Sequence, residues 1–275
     1  MSSIKVLLIG DVVGALGRSM FQKHIKSLKQ EYGADAVIVN GENSASSGRG
    51  ITPRIMRFFK HNDVDMVTSG NHIWDCRDIY SYLDQNKDLL RPANFPSDAP
   101  GSGTGLFTCK EYRIGVLNLQ GRVFMREDLS CPFRQAQSAL TYLKHYTNII
   151  LVDFHAEATS EKMGLAHFLD GQVSGVVGTH THTQTADNRI LPNGTAFITD
   201  LGMVGALDGM LGMKKEPIIQ RFLTQMPVRF QAQEEGPGIL CGVCITIDTR
   251  TGKATAIDRI SLVDNDITMG AMDNE

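Results

Sequence analysis

Apolar segments of strand length recur along the chain, and many of them end in polar residues. They are rich in Val and Ile and do not alternate cleanly between apolar and polar positions, which is typical of strands buried on both faces. The pattern therefore predicts buried strands at residues 4–11, 35–43, 65–72, 112–121, 148–157, 173–182 and 195–202.

Helical periodicity fills the intervals between these strands. One helix is predicted from apolar residues at helical spacing, namely Met20, Phe21, Ile25, Leu28 and Tyr32. Three more are predicted from Thr52-Pro53 onward, over residues 133–146, and from a cap at Thr159 or Ser160 as far as Gly171. The alternation of strands and helices favours an α/β layered fold.

The C-terminal part of the chain predicts an antiparallel element. The stretch GVCITIDTRTGKATAIDRISLV is interpreted as a hairpin that turns at Thr251-Gly252, so the sheet is mixed rather than purely parallel. We expect one domain over residues 1–275. The stretch 92–105 is predicted to be a long surface loop, with a small cap near it as an open alternative, and residues 264–275 are predicted to be a frayed tail.

The overall composition is that of an ordinary globular protein. Hydrophobic residues make up 42% and charged residues 21% of the 275 residues. The net charge of −3 lacks the basic excess of a dedicated nucleic-acid binder, so we expect no stable nucleic-acid complex. A small nucleotide substrate is still allowed, because a bound metal ion can supply more local positive charge than several lysines.

Cysteine usage and the N-terminus favour a reduced, cytoplasmic location. The five cysteines are odd in number and irregularly spaced, which argues against a disulfide framework. Cys241 and Cys244 lie within a predicted strand and are expected to be buried thiols. The N-terminus lacks the features of a signal peptide, and no apolar segment approaches the ~18–20 residues of a membrane helix.

Polar side chains follow the predicted strands where the strands end. In open α/β sheets, ligands bind beyond the carboxyl ends of the strands. Carboxylate and imidazole groups without thiolates suit Fe, Zn or Mn, and the set is too large for one tetrahedral ion. Two metals that share a carboxylate would use it fully. The candidates are Asp11, Glu42, Asn43, Asn71, His72, His155, His180 and His182.

Each candidate also has an ordinary explanation when it is taken alone. Asp11 could cap a helix, Glu42 and Asn43 could be loop residues, and His155 could be a hydrogen-bonded core histidine. Their joint occurrence at successive strand ends favours the metal interpretation. The other histidines lie in helical patterns and are predicted to be solvent-facing or half-buried: His24, His61, His145 and His167.

Five short motifs between residues 10 and 182 resemble those of the calcineurin-like metallophosphoesterase superfamily. They are GDVVG, NGEN, GNHIWD, DFHAE and GTHTH, in the order in which that superfamily has D-x-H, G-D, G-N-H-[DE], a lone His and G-H-x-H. Val13 stands where the first motif has His, and Glu42 stands where the bridging Asp would be. Both departures are similar to the YmdB-like branch of bacterial phosphodiesterases.

The resemblance implies a four-layer α/β/β/α sandwich with mixed sheets and two metal ions, with iron expected and manganese or zinc as alternatives. It implies that Asn43 compensates for the ligand missing at Val13 and that His72 is the general acid. The implied ligands are Asp11, Glu42, Asn43 and His182 for the first metal and Glu42, Asn71, His155 and His180 for the second, with Glu42 bridging.

The activity implied by the resemblance is hydrolysis of small phosphodiesters, notably 2′,3′-cyclic nucleotides such as 2′,3′-cyclic AMP, by attack of a metal-activated hydroxide. The branch is also associated with bacterial developmental regulation. A phosphomonoesterase or nuclease that uses the same site remains open. So does a regulatory protein that binds metal and nucleotide and catalyses little. Assembly into a homo-oligomer is open as well.

Three local features add expectations about the surroundings of the site. His180 and His182 are two residues apart, which on an extended segment places both side chains on one side, about 7 Å apart at the backbone, one for each metal. Ser47 or Arg49 could face substrate. The methionine-rich segment 201–215 is interpreted as core packing, with an adaptable wall or an oligomer contact as alternatives.

Overall fold

Two mixed β-sheets form the centre of the structure, a computed structural model that describes residues 2–267. The first sheet contains β1 (Ser3–Ile9), β2 (Asp11–Val12), β3 (Ala36–Asn40), β4 (Met66–Thr68), β11 (Met203–Ala206), β12 (Gly238–Asp248) and β13 (Ala254–Asp264). The second sheet contains β5 (Thr104–Cys109), β6 (Tyr112–Gln120), β7 (Ile150–His155), β8 (Gly175–Thr179), β9 (Arg189–Ile190) and β10 (Ala196–Ile198). The strand order is β2-β11-β12-β1-β3-β4 in the first sheet, with β13 paired to β12, and β5-β6-β7-β8-β10-β9 in the second.

Six helices lie among the described residues, and most pack on the outer faces of the sheets. They are α1 (Gly14–Tyr32), α2 (Pro53–His61), α3 (Ile79–Gln85), α4 (Pro132–Leu143), α5 (Thr159–Leu169) and α6 (Lys215–Thr224). One apolar cluster joins the first sheet to α1, α2 and α3, a second lies between the sheets, and a third joins the second sheet to α4 and α5. Three clusters between four layers confirm the predicted α/β/β/α sandwich with mixed sheets.

Strand β1 shows why the sequence pattern lacks alternation. Val6 and Leu8 belong to the cluster between the sheets, whereas Leu7 and Ile9 belong to the cluster under the helices. Successive side chains of a strand point to opposite faces, so both sets must be apolar when both faces are covered.

The helix boundaries follow local signals only in part. The Thr52 side chain accepts a hydrogen bond from the Ile55 amide, and Pro53 occupies the first turn, as the sequence predicts. Neither Thr159 nor Ser160 caps α5, because the helix already begins at Thr159 and Ala158 holds the cap position. The helix predicted over residues 133–146 ends earlier, at Leu143.

Several predicted strands are longer than the observed ones. Strands β3, β4 and β8 end at Asn40, Thr68 and Thr179, so the polar residues beyond them lie in turns. The sequence pattern did not predict α3, α6 or β5, and β5 begins inside the predicted loop 92–105. The hairpin of β12 and β13 around Gly252, whose φ is 71°, is confirmed.

Residues 207–237, between β11 and β12, form a long connecting segment outside the layers of the sandwich, called the excursion below. Its helix α6 has no buried residue, and the side chain of Leu223 is 80% exposed. Cys241 and Cys244 on β12 are free and buried, as predicted. No helix within residues 2–267 has the length and apolarity needed to cross a membrane. The tail predicted over residues 264–275 begins inside β13, because Asp264 is paired with Gly238, and from residue 268 onward the prediction falls outside the described residues.

Candidate metal centre

The carboxyl ends of strands from both sheets meet at one edge of the sandwich. Asp11 follows β1 from the first sheet, and Glu42 follows β3. From the second sheet, β7 ends at His155. One ligand atom from each of these three residues lies within 4.8 Å of the other two, and all three residues are buried. The fold thus brings carboxylate and imidazole groups of distant segments together.

Three of the predicted ligands converge on an atom of a fourth, Nε2 of His155. It lies 3.0 Å from Oδ1 of Asn71, 3.0 Å from Nδ1 of His180 and 3.1 Å from Oε1 of Glu42. One imidazole hydrogen cannot serve three partners at once. Two ligands at right angles, each about 2.1 Å from a cation, are about 3.0 Å apart, which is the spacing found here.

The remaining predicted ligands form a second group that shares Glu42. Nδ2 of Asn43 lies 3.4 Å from Oε1 of Glu42 and 3.0 Å from Nε2 of His182. Nε2 of His182 is in turn 3.9 Å from Oδ1 of Asp11. As a metal ligand Asn43 would present its oxygen here, after a half-turn of the amide. Glu42 is therefore the carboxylate common to both groups.

Asp11 shows why a cation fits this arrangement. Its Oδ1 atom is fully buried and accepts no hydrogen bond from any group within residues 2–267. An uncompensated buried carboxylate oxygen is costly, because it has lost its water and gained no donor. A metal ion beside Asp11 and Glu42 would supply the missing positive charge.

Each of the three histidines directs one ring nitrogen into the centre and has its other nitrogen held outside. Nδ1 of His155 lies 3.0 Å from the Thr179 hydroxyl, and Nδ1 of His182 lies 3.0 Å from the carbonyl of Leu211. Nε2 of His180 lies 3.2 Å from Oε2 of Glu157. Such outer partners fix the tautomer and leave the inner lone pair available to a metal.

A buried polar network beneath the centre orients His155. The Thr179 hydroxyl donates to Oδ1 of Asp153 at 2.8 Å, so it can only accept a hydrogen from Nδ1 of His155. Oδ2 of Asp153 accepts from the side chains of Thr68 and Asn40. The sequence pattern did not reveal these roles of Asp153 and Thr179, although both residues lie within the quoted motifs DFHAE and GTHTH, because the roles depend on contacts between separate strands.

The turn that carries His180 and His182 differs from the prediction. Both residues have positive φ angles, 101° and 62°, so the segment is not extended and strand geometry does not set their separation. Asp200 holds the turn: its Oδ2 accepts from the Thr181 amide at 3.1 Å and from Nζ of Lys162 at 2.7 Å. A buried ion pair thus stabilises the backbone between the two ligands, a role with no signal in the sequence.

The backbone at Gly70 packs directly against the ring of His155. A Cβ atom at this position would lie 2.1 Å from Cδ2 of the His155 ring. Glycine is therefore required here because the chain after β4 crosses directly over that imidazole. This close approach carries Asn71 and His72 to the centre.

The pKa values within the centre are shifted by burial and by mutual interaction. Burial raises the pKa of Asp11 to about 6, although His182 and His155 oppose the shift. Burial acts to lower the pKa of His155, but the carboxylates of Glu42, Asp11 and Asp153 outweigh it and raise the value to about 9. Without a metal, His155 therefore holds a proton that partly compensates the carboxylates.

The pKa values of Glu42 and His180 move in the direction that suits metal binding. Burial acts to raise the pKa of Glu42, but the positive charge and hydrogen bond of His155 lower it to about 2. Burial and the charge of His155 lower the pKa of His180 to about 3. Ionised carboxylate and neutral imidazole are the forms that ligate metals.

His72 differs from the other histidines because its ring takes no part in the two ligand groups. Its amide donates to Oε2 of Glu42 at 3.0 Å, and its Nδ1 lies 2.9 Å from Oδ2 of Asp75. The side chain is 24% exposed, so Nε2 can reach a bound molecule. Asp75 is a further residue that sequence reasoning missed, although it lies within the quoted GNHIWD motif.

A cavity of about 310 Å³ opens over the centre. Arg49, one of the two residues expected to face substrate, lines this cavity. Among the methionines of segment 201–215, Met203 is buried, which agrees with the core-packing interpretation, whereas Met210 and Met213 line the cavity. The four helix-pattern histidines lie outside the centre and are half-buried or exposed, as predicted. The other lining residues include Glu42, Asn43, His72, Glu157, His180, His182, Leu211, Ile218 and Phe230.

Comparisons with known proteins agree with this architecture. The 2′,3′-cyclic-nucleotide 2′-phosphodiesterase of Bacillus subtilis is 47% identical over 262 residues, which cover 95% of this chain and 98% of that protein. The crystal structure of a phosphatase from Mycoplasma pneumoniae is 35% identical, with a TM-score of 0.90, and covers 97% of this chain and 95% of that one. The crystal structure of a hypothetical protein from Thermus thermophilus is 36% identical, with a TM-score of 0.86, and the match covers 95% of this chain and 100% of that one.

The family model described as YmdB-like protein matches residues 7–260, which include all eight candidate residues. The resemblance drawn from the five motifs is thereby confirmed, whereas the role of each residue stays a prediction. The chain belongs to the YmdB-like family of metallophosphoesterases.

Proposed function

We propose that the chain is a metal-dependent phosphodiesterase that hydrolyses 2′,3′-cyclic nucleotides such as 2′,3′-cyclic AMP. The observation that carries this proposal is the pair of ligand groups that share Glu42 at the floor of one cavity. The likeness to the Bacillus subtilis 2′,3′-cyclic-nucleotide 2′-phosphodiesterase supports the substrate class.

The interatomic distances divide the proposed ligands into two groups, one for each cation. Asp11, Asn43 and His182 would hold one cation, Asn71, His155 and His180 would hold the other, and Glu42 would serve both. When bound, the two cations supply charge stabilisation for the phosphate and an activated water. Oxygen and imidazole donors suit iron, with manganese or zinc as alternatives.

His72 is the proposed general acid. Asp75 accepts the hydrogen on Nδ1 and so orients the ring, while Nε2 carries the proton to be delivered. When water adds to phosphorus and the bond to the 2′ oxygen breaks, that oxygen takes the proton from His72. The product is a nucleoside 3′-phosphate.

The cavity walls suit a nucleoside. Leu211, Ile218 and Phe230 provide an apolar surface in the cavity that His72 also lines, and a base can pack against it. A volume of about 310 Å³ lies at the lower end of the range for small-molecule sites. We therefore propose a small nucleotide as the substrate. We also propose that the enzyme acts in the cytoplasm.

The proposal is tested with anaerobically purified protein whose metal content is measured before assay. We expect turnover of bis-p-nitrophenyl phosphate and 2′,3′-cyclic AMP with iron or manganese, and much slower turnover of p-nitrophenyl phosphate. Stoichiometric metal without diester turnover would overturn the proposal. Faster monoester turnover would indicate a phosphomonoesterase.

A His72→Ala variant separates catalysis from a purely regulatory role. We expect retained metal and a kcat lowered by about 10²–10⁴-fold, because one proton donor is lost. The change should also flatten the fall of kcat at alkaline pH, where a general acid loses its proton, which a merely structural defect would not do. A cellular effect that survives in this variant would favour the regulatory alternative.

A further inference from the structure

A second cavity adjoins the one over the metal centre. It has a volume of about 650 Å³ and lies between the loop after β3 and residues 213–234. Arg49, Met213 and Phe230 line both cavities. One ligand can therefore extend from the metal centre into the second cavity past these three side chains.

The second cavity is basic although the chain as a whole carries a net charge of −3. Four cationic side chains line it, Arg49, Lys214, Arg221 and Arg229, against one carboxylate, Glu234. Within residues 2–267, none of these four cations forms an ion pair with a carboxylate. Unpaired positive charges in a concave surface attract anions more strongly than the same charges on an open surface.

Local contacts keep this basic wall in place. The guanidinium carbon of Arg221 lies 5.5 Å from the centre of the Phe230 ring, a cation–π contact. The amide of Lys214 donates to the carbonyl of Gln231 at 2.8 Å, which ties the two sides of the excursion together. Arg221 and Lys214 are therefore held by local contacts and do not project from a free loop.

The chemistry of the walls identifies the class of anion. Arginine guanidinium groups bind phosphate oxygens in a bidentate way, and a lysine adds a point charge. A cyclic phosphate at the metal centre occupies the 2′ and 3′ oxygens of the ribose. The 5′ carbon and the base both project from the opposite face of that ribose, so with the base packed on the apolar residues of the first cavity, a group on the 5′ oxygen can enter the second cavity.

We infer that the basic cavity binds a phosphate carried on the 5′ oxygen of a nucleoside 2′,3′-cyclic phosphate. The substrate is then either a 5′-phosphorylated mononucleotide or the 3′ end of a short oligoribonucleotide, which share this chemistry. The inference rests on the proposed function for the reaction at the metal centre. It adds a subsite that selects among cyclic phosphates.

The kinetic test compares three substrates of the metal-loaded enzyme: 2′,3′-cyclic AMP, its 5′-phosphorylated form, and a diadenylate that ends in a 2′,3′-cyclic phosphate. We expect kcat/KM to be about tenfold higher for the two substrates with a 5′ phosphate, mainly through KM, with the advantage shrinking in high salt. An advantage for the diadenylate alone identifies the oligoribonucleotide end as the source. Equal kcat/KM for all three overturns the inference while leaving the proposed function intact.

Arg229→Gln provides the matched variant, with Lys215→Gln as its control. Both remove one positive charge from the same exposed segment, but Lys215 does not line the basic cavity. We expect the ratio of kcat/KM values, with and without the 5′ phosphate, to fall several-fold in Arg229→Gln and to stay unchanged in Lys215→Gln. An equal fall in both variants would indicate general electrostatic attraction and overturn the subsite.

A binding measurement keeps the test decisive if no cyclic phosphate is hydrolysed. Calorimetric titration of the holoenzyme with adenosine 3′,5′-bisphosphate and with adenosine 3′-phosphate compares ligands that differ by the 5′ phosphate alone. We expect the bisphosphate to bind about tenfold more tightly, and this advantage to be lost in Arg229→Gln. Equal affinities would contradict the subsite, whereas absence of hydrolysis alone would contradict only the proposed function.

Discussion

The floor and the wall of the cavity are built in opposite ways. On the floor, Asp11, Glu42 and His155 are fully buried, and hydrogen bonds or ion contacts link them to groups from several strands. The wall formed by residues 207–237 contains α6, none of whose residues is buried. A buried polar network must be satisfied as a unit, whereas an exposed segment tolerates change. We therefore expect the reaction to depend on the fold of the floor and the choice of substrate to depend on the wall.

The largest effect is expected on the floor, in Glu42→Gln. A single carboxylate is common to both ligand groups, so its loss should remove metal and lower kcat/KM by about a thousandfold or more. Metal analysis and assay with 2′,3′-cyclic AMP check this. Glu157→Gln, which alters only the outer contact of His180, should cost about tenfold. Full metal content and rate in Glu42→Gln would show that this carboxylate is not shared.

The floor should also make the metal-free protein sensitive to alkaline pH. The folded chain raises the pKa of His155 from 6.5 to about 9, so its proton stabilises the fold below 6.5, and this contribution is lost as pH rises toward 9. A metal at the same nitrogen replaces the proton. Urea unfolding should therefore show a loss of stability over this range for the metal-free protein, and a smaller one for the loaded protein. Parallel declines in both forms would count against a metal at His155.

A smaller effect is expected from Thr179→Val, which keeps the shape of the side chain and removes the hydroxyl that holds His155. Metal affinity should fall about 10–100-fold, because the imidazole loses its outer partner. Thr195→Val is the matched control: this buried hydroxyl donates to the Val173 carbonyl at the opposite end of the strands. Competition with a metal chelator measures both. Equal losses would mean that the effect is general destabilisation.

The smallest effect is expected on the wall. Leu223 is 80% exposed, so Leu223→Ala should change the free energy of unfolding by less than about 0.5 kcal/mol. Leu165→Ala in α5, at a fully buried position, should cost about 2–5 kcal/mol. Chemical denaturation compares the two. A large cost at Leu223 would show that another copy of the chain covers α6 in solution.

The same contrast explains what could be predicted from the sequence. Residues of the floor follow apolar strands that are buried on both faces, so the strand pattern and the motifs located Asp11, Glu42 and His155 at one edge. The sequence pattern did not predict helix α6, because its apolar side chains are exposed or line the cavity and belong to no core cluster. Asp153 and Thr179 escaped because their roles depend on contacts between strands that lie far apart in sequence.

The left-handed turn at His180 and His182 marks a second limit. Extended geometry was the natural expectation after a strand, yet both residues have positive φ angles. What holds them there is the buried pair of Lys162 and Asp200, from α5 and from the segment after β10. Backbone conformation at such positions is set by tertiary contacts, which a single sequence does not display.

The strand that leads to Asp11 lies between β3 and β12, and the Gly10 amide donates to the carbonyl of Cys241. The first candidate ligand along the chain is thus held by a strand that lies far downstream in the sequence. Asp11 also contacts the amide of His180, 169 residues away. Until β12 has been synthesised, the chain therefore holds scattered candidate ligands but no finished centre, and we expect metal uptake to follow the synthesis of that strand.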